Sequence, residues 1–183
     1  MLEAEIIAHC APTLAGIKTA NMFTYTPENR DGLYKEIEEE NNKLNSRGVF
    51  VEVLRMSEYQ ALVYVYRKKK LQQDLSCEGA CTLLNNCGYE CREADCCIRK
   101  LQERFFENDC FPHEVGLFLG YPLDDVTGFI EQKGKNYKCC GIWKVYGDEQ
   151  QTRILFRKLK KCSEIYRRLF ADGRSILQLT VAA

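Results

Sequence analysis

Two short runs of β-forming residues constrain the fold of this chain most. In the first run, Val49, Val51 and Val53 recur with the period of two that places side chains on one face of a strand. The second run, residues 61–66, is rich in Val and Tyr and follows after a short connection. The two runs therefore predict a hairpin. Since both are apolar on parts of both faces, helices are expected to cover the sheet.

Further elements flank this hairpin. Residues 21–25 predict a strand, and Thr26 and Pro27 follow it as an N-cap and as the proline favoured in a first helical turn. The long helix that begins there should end before Gly48, because glycine readily adopts the left-handed conformation at a helix C-terminus. Residues 71–133 lack long β-branched runs and predict a helical section between strands.

Two prolines mark helix starts within that section. Pro112 predicts a helix that ends at Gly120, and Pro122 predicts a second helix. The first turn of the second helix holds Asp124 and Asp125, whose negative charge suits the positive end of a helix dipole.

The end of the chain predicts two more strands and a long helix. Residues 136–146 should form a late strand that rejoins the sheet, residues 149–170 a helix, and residues 175–181 a closing strand. The expected fold class is α+β, with a mixed, mostly antiparallel sheet of four or five strands covered by helices. No repeat or linker divides the sequence, so residues 1–183 are expected to form a single domain.

The charge balance argues against polyanionic partners. Lys and Arg together number 26, as do Asp and Glu, so no net field attracts nucleic acid or an anionic membrane surface. Nucleic acid is therefore not an expected partner, and no stretch resembles a membrane span. A solvated helix face is the simplest interpretation of the densest basic residues. These are residues 67–70 together with Arg153, Arg157, Lys158, Lys160, Lys161, Arg167 and Arg168.

The N-terminal sequence and the cysteine content indicate a reducing compartment. The first residues include Glu3 and Glu5 and lack the basic and apolar regions of a secretion signal. We therefore expect a cytoplasmic protein whose eleven cysteines are mainly free thiols. Their odd number also excludes complete pairing within the chain.

Six of these cysteines lie within residues 77–97. The first four, Cys77, Cys81, Cys87 and Cys91, could bind a soft metal ion such as Zn²⁺ or take part in redox chemistry. Their spacing differs from the paired C-x2-C ligands of structural zinc sites. Small buried apolar residues are the simpler interpretation, because free cysteine often has that role.

The candidate catalytic residues are His113, Glu114 and Cys140. His113 lies in the first turn of the helix predicted from Pro112, where it could act as a base or ligand, and Glu114 is its neighbour. Cys140 could serve as a nucleophile in acyl or thiol transfer. A helix cap or a surface residue is the simpler interpretation of His113. The sequence leaves open whether the protein is an enzyme, and it indicates no particular cofactor.

A loop predicted over residues 11–18 could hold an anion. Pro12 and Gly16 should interrupt a helix there, and the loop combines a hydroxyl at Thr13 with the ammonium of Lys18. A phosphate-binding P-loop has more glycines and a helix directly after it. The simpler interpretation is a tight turn whose lysine reaches solvent.

Three segments of the sequence resemble an uncharacterised bacterial family of the anaerobic Firmicutes type, the domain of unknown function 3793. They are residues 9–18, 111–122 and 141–146, and the resemblance extends over nearly the whole chain. It implies no activity and does not include the cysteines of residues 77–97. The positions that it marks are His9, Pro12, Thr13, Gly16, Lys18, His113, Glu114, Gly116, Gly120, Tyr121, Pro122, Gly141, Trp143, Lys144, Tyr146 and Asp148.

From these observations we predict one polar pocket for a small anionic ligand or another small molecule. The loop that holds Thr13 and Lys18 would meet the helix start at His113, and imidazole, ammonium and helix N–H groups would bind a phosphate or carboxylate. The alternatives are a thiol-based metal-binding or redox protein and a non-catalytic interaction module. The predicted ligand-binding residues are His9, Thr13, Lys18, His113, Glu114, Tyr121 and Lys144.

Overall fold

The structure, a computed structural model, describes residues 1–107 and 111–182. Residues 108–110 of the predicted helical section, and residue 183, lie outside the described residues. The chain forms two compact units, Met1–Leu71 with Cys162–Ala183, here called the sheet unit, and Gln72–Lys161, here called the helical unit. The expectation of one domain stays a prediction.

A three-stranded antiparallel sheet forms the centre of the sheet unit. It consists of β1 (Ala20–Tyr25), β2 (Val49–Met56) and β3 (Ala61–Arg67), in the order β1-β3-β2. The predicted hairpin is confirmed, with Val51 opposite Val65 and both side chains buried. The sheet is wholly antiparallel and has three strands rather than four or five.

Two helices pack against this sheet. Helix α1 (Leu2–Leu14) contacts β1, and helix α2 (Arg30–Leu44) contacts β2. Helix α2 starts later than Thr26 and Pro27 predict, because Asn29 is its N-cap and accepts the Gly32 N–H at 2.6 Å. Gly48 is left-handed, with φ of 74°, and closes the short turn after α2 as predicted.

Helix α1 continues through the segment that was predicted to be a loop. Pro12 lies in its last turn and cannot donate an N–H to the carbonyl of Ala8. The side chain of Arg167, far along the chain, donates to that carbonyl instead, over 3.4 Å. The loop prediction is therefore wrong for residues 11–14, and the turn that follows α1 contains Gly16 with φ of 72°.

The helical unit confirms the predicted helical section. Its first helix, α3 (Lys68–Leu75), begins in the sheet unit. The others are α4 (Glu78–Asn86), α5 (Ala94–Glu107), α6 (Val115–Phe118) and α7 (Leu123–Glu131). Helix α6 is shorter than predicted, so Pro112 and His113 lie in the turn before it.

The predicted late strand does not join the three-stranded sheet. Instead β4 (Cys139–Cys140) and β5 (Lys144–Val145) pair antiparallel as a two-stranded ribbon. The reason is a tertiary contact: the N–H groups of Tyr146 and Gly147 donate to the side chain of Asp125 in α7, so the chain after β5 is held by that helix. The fold class is α+β, but its strands form two separate sheets.

The C-terminal residues are helical. Helix α8 (Glu149–Ala171) matches its prediction, and its basic residues are exposed. The predicted closing strand is wrong, because residues 176–179 form a short helix, α9 (Ile176–Leu179). The side chains of Ser175 and Gln178 make a reciprocal capping box at its start. Within the described part of the chain, every helix is too short or too polar to cross a bilayer.

Candidate functional site

A cleft of about 360 Å³ in the helical unit collects four of the predicted site residues. His113, Tyr121, Cys140 and Lys144 all line it. They come from the turn before α6, the connection from α6 to α7, and the β4–β5 ribbon. The cleft is therefore the candidate functional site, and its remaining lining is mainly apolar.

An aromatic wall forms one side of this cleft. The rings of Tyr121 and Trp143 stack with their centroids 4.3 Å apart and their planes 23° from parallel. Phe156 packs edge-on against the ring of Trp143, with a centroid separation of 4.6 Å. Phe129 also lines the cleft. Such flat, largely buried rings suit a planar or apolar part of a ligand.

Two glycines allow the wall to pack closely. A Cβ on Gly141 would lie 2.3 Å from the Phe156 ring. A Cβ on Gly116 would lie 2.8 Å from the Val126 side chain and 3.3 Å from the Tyr121 ring. Both glycines are positions that the sequence resemblance marks, and close packing is the physical reason for a glycine at each.

Asp125 holds the wall in place. Its side chain is buried, and Oδ2 accepts the indole N–H of Trp143 at 2.7 Å. Oδ1 accepts the backbone N–H groups of Tyr146 at 2.7 Å and Gly147 at 2.8 Å. One carboxylate thus orients the tryptophan and anchors the end of the ribbon to α7. Sequence reasoning missed this role, because the helix dipole already explained an acid in this first turn.

Three polar side chains line the cleft beside the wall. The exposed imidazole of His113 meets the Phe129 ring edge-on, with 5.3 Å between ring centroids. The Lys144 ammonium donates to the carbonyl of Gly134 at 2.7 Å and lies 5.8 Å from the Phe129 centroid. The thiol-bearing residue Cys140 is exposed. The cleft therefore combines apolar rings with an ammonium group, an imidazole and a thiol.

The hydroxyl of Tyr121 adds a hydrogen-bonding group to the wall. Burial raises the pKa of Tyr121 to about 12, because the phenolate would lose hydration. The side chain therefore stays protonated near neutral pH and keeps its capacity as a donor.

Glu114 is buried away from the cleft lining. Its Oε1 accepts the hydroxyl of Tyr89 at 3.0 Å and the Nε–H of Arg104, with which it forms an ion pair. Burial, reinforced by the charge of Glu114, raises the pKa of Tyr89. The cleft lining includes His113 but not Glu114, so the two neighbours do not share the cleft. The geometry gives Glu114 a structural role.

The first predicted motif lies in the sheet unit. The imidazole of His9 stacks on the Phe23 ring, with 5.2 Å between centroids, and its Nε2 is 3.3 Å from a Glu5 carboxylate oxygen. The hydroxyl of Thr13 donates to the Asn21 side-chain oxygen at 2.8 Å. His9 and His113 belong to different units, so a pocket shared by the two motifs stays a prediction.

Lys18 is buried rather than extended into solvent. Its ammonium group donates to the carbonyl of Ala20. Burial lowers the pKa of Lys18 to about 7, and the nearby thiol of Cys10 opposes this shift. The expectation of a lysine that reaches solvent is therefore wrong.

Cations of β3 and α3 bind the carbonyl groups at the end of α1. Arg67 donates from Nε to the Thr13 carbonyl at 2.6 Å and from Nη2 to the Leu14 carbonyl at 2.7 Å. Lys70 donates to the carbonyls of Gly16 and Ile17 at 3.2 and 3.3 Å. A helix C-terminus with unpaired carbonyls attracts positive charge, so this turn binds cations of the protein itself.

The four thiols of the predicted metal site are not brought together. Helix α4 separates Cys77 and Cys81, at its start, from Cys87 at its end. The thiol of Cys81 contacts the Leu75 carbonyl at 3.3 Å. In residues 1–107 and 111–182, no three His, Cys, Asp or Glu side chains form a group that could hold a metal ion.

One comparison with known proteins gives a match. The model of the family described as "Protein of unknown function (DUF3793)" matches residues 6–180. No curated protein and no solved structure gives a significant match. The match covers nearly the whole chain and therefore establishes family membership.

Proposed function

We propose that this chain, which belongs to the DUF3793 family of proteins of unknown function, binds a small organic anion in the cleft of its helical unit. The observation that carries the proposal is the stacked pair of Tyr121 and Trp143 beside the ammonium of Lys144, all on one cleft. The ligand would have a planar or apolar body and a carboxylate or phosphate group.

The size and lining of the cleft support a small ligand. Its volume of about 360 Å³ lies within the range of ~300–1,000 Å³ that is usual for small-molecule sites. Such sites combine apolar walls with a few polar groups that orient the ligand. Phe111 and Ile142, with 48% and 47% of their surface exposed, add apolar contact area beside the wall.

The charged groups of the cleft support an anionic ligand. An ammonium has three hydrogen-bond donors, and Lys144 gives one of them to the Gly134 carbonyl. The rings of Phe129 and Tyr137 lie 5.8 and 5.0 Å from the same nitrogen and restrict its position. His113 supplies a second donor. The cleft also contains the carboxylate of Asp125, but three N–H groups already pair with it.

Fluorescence of the single tryptophan tests this proposal. Trp143 is the only tryptophan in the sequence and lies in the cleft, so its emission reports on ligands bound there. Benzoate, phenyl phosphate, cyclohexanecarboxylate and inorganic phosphate are suitable probes. We expect saturable changes in emission with the organic anions, and a weaker response to inorganic phosphate, which lacks an apolar body.

A matched pair of variants separates the cleft lysine from general charge. Lys144→Met should weaken binding by about tenfold or more, because a charge-assisted hydrogen bond contributes ~1.5–3 kcal/mol. Lys135→Met, at an exposed residue that does not line the cleft, should bind normally. Equal affinities of the two variants, or a linear response to every probe, would refute the proposal.

We further propose a reducing bacterial cytoplasm as the protein's location. The resemblance to an anaerobic bacterial family supports this, as do the ten cysteines of the described residues, all of them free thiols. Alkylation in intact source cells should then modify the exposed residues Cys77 and Cys140 without prior reduction. Disulfide-linked forms of these residues in the cells would contradict the proposal.

A further inference from the structure

A second cleft in the helical unit contains three thiols. It has a volume of about 460 Å³, and its lining includes Cys91, Cys96 and Cys97. Among the residues that the structure describes, none lines both this cleft and the aromatic cleft, so the two sites can be tested separately. The basic side chains of Arg99 and Lys100 are part of the same lining.

The start of α5 brings the three thiols together. Cys91 lies in the loop before the helix, and Cys96 and Cys97 lie in its first turn. Cys91 and Cys96 are both partly exposed, and both line the cleft. The thiol of Cys97 contacts the Cys91 carbonyl at 3.2 Å. Cys91 and Cys96 are therefore the two accessible thiols of one cleft, within reach of the same bound molecule.

The environment distinguishes the roles of the three thiols. Interaction with the Cys96 thiol, together with the backbone N–H of Glu93, lowers the pKa of Cys91. The same interaction raises the pKa of Cys96, and burial raises that of Cys97 to about 11. Cys91 is therefore the thiol that attacks first, Cys96 is the accessible thiol that follows, and Cys97 is held back by burial.

We propose that Cys91 and Cys96 form a redox-active dithiol pair that exchanges with a small disulfide bound in this cleft. The thiolate of Cys91 attacks one sulfur of the small disulfide and forms a mixed disulfide, and the other half leaves as a thiolate. The sulfur of Cys96, after losing its proton to solvent, attacks Cys91 and releases the second half. The protein pair is oxidised by two electrons, and the small disulfide is reduced to two thiols.

The cleft supports a small disulfide that carries carboxylates. Its concave shape and its volume suit a compact molecule. The side chain of Arg99 lines the same cleft as Cys91 and Cys96, so its guanidinium is available to a molecule bound beside these thiols. A guanidinium binds a carboxylate with two parallel hydrogen bonds, which would fix the disulfide in place.

Oxidation of the reduced chain by glutathione disulfide tests the proposal. Timed samples are alkylated, digested and mapped by mass spectrometry. We expect an intrachain Cys91–Cys96 disulfide as the first product. Cys96→Ser should instead accumulate glutathione on Cys91, because the second attack is removed. Cys91→Ser should slow oxidation of this pair several-fold, whereas Cys77→Ser, at an exposed thiol of the same unit, should change nothing.

Two results would overturn the proposal. One is glutathione on Cys77 or Cys140 as quickly as on Cys91, since simple exposure would then explain the reaction. The other is a chain whose Cys91 and Cys96 stay alkylatable after prolonged oxidation. Both come from the unsubstituted protein, so poor folding of a variant cannot obscure them. The emission of Trp143 and its response to benzoate should be unaffected by oxidation of this pair, which keeps the two proposed sites distinct.

Discussion

Substitution of Asp125 by asparagine should destabilise the helical unit and disturb the aromatic wall. The carboxylate accepts three N–H groups, from the Trp143 indole and from the backbone of Tyr146 and Gly147. An asparagine can keep its oxygen on the two backbone donors. Its amide NH₂ group then faces the indole N–H, so two donors meet and the indole loses its acceptor.

The magnitude follows from that single lost partner. A buried donor that is left without an acceptor costs about 1–3 kcal/mol, and the loss of ionic character weakens the two remaining hydrogen bonds. We therefore expect Asp125→Asn to lower the free energy of unfolding by about 2–3 kcal/mol. For a chain of this size, that corresponds to a fall in Tm of roughly 4–12 °C. Asp125→Ala should cost more, because all three donors lose their acceptor.

Asp124 offers a matched control. It occupies the same helical turn but is exposed, so Asp124→Asn removes the same charge from the same helix N-terminus without breaking these hydrogen bonds. Asp124→Asn should lower the free energy of unfolding by less than about 1 kcal/mol. Urea unfolding is followed by circular dichroism and by the emission of Trp143, which reports on the wall. Equal losses for the two asparagine variants would refute the assigned role of Asp125.

Two further predictions concern the sheet unit. Arg67→Met should lower the free energy of unfolding by about 2–4 kcal/mol in chemical denaturation, because the carbonyls of Thr13 and Leu14 lose a buried donor. The hydrogen bonds of Lys70 are longer and partly exposed, so Lys70→Met should lower the same free energy by less than about 1 kcal/mol. Equal effects of the two variants would contradict the capping role of Arg67. The folded-state pKa of Lys18 is about 7, below its ordinary value of 10.5, so the unfolded chain binds more protons than the folded chain above pH 7. The free energy of unfolding should therefore rise from pH 7 to pH 9, by up to about 1.4 kcal/mol per pH unit. Lys18→Met should flatten this slope in unfolding measured at each pH, and an unchanged slope would exclude the lysine as its source.

Elements with a strong local pattern could be predicted from the sequence, and elements fixed by distant partners could not. The hairpin follows from the spacing of its valines, and Gly48 closes the turn after α2 as a left-handed residue. By contrast, the carbonyl of Ala8, which Pro12 leaves without its helical donor, accepts a hydrogen bond from Arg167, far along the chain. No local pattern around Pro12 contains that information.

The error at the C-terminus has a different cause. Residues 175–181 contain enough β-forming residues to suggest a strand, yet Ser175 and Gln178 have the spacing of a capping box. The spacing of the capping box is visible in the sequence, and the capping box outweighs the β propensity of the intervening residues. The late ribbon, however, depends on Asp125, which lies well before it in the chain, so only the tertiary structure determines it.

The candidate site was partly predictable, because its polar and aromatic residues belong to motifs that the sequence analysis identified. His113, Tyr121, Cys140 and Lys144 were all candidates, and one cleft contains them. Glu114 was also a candidate, but a carboxylate beside Arg104 is more stable as a buried ion pair than it would be unpaired in the same interior.

Burial separates the polar residues of the marked motifs into two classes. Lys18 and Glu114 are buried, and each pairs with a carbonyl or a charged group of the protein itself. A buried polar group without such a partner would destabilise the fold, so their pairing is a requirement of folding and gives no reason to infer a ligand. His113 and Lys144 retain exposed surface on a cleft of suitable size, and stability alone does not explain their position there. A motif residue that stays accessible in the folded protein is therefore stronger evidence for a binding site than a buried one. This criterion favours the aromatic cleft over the turn after α1.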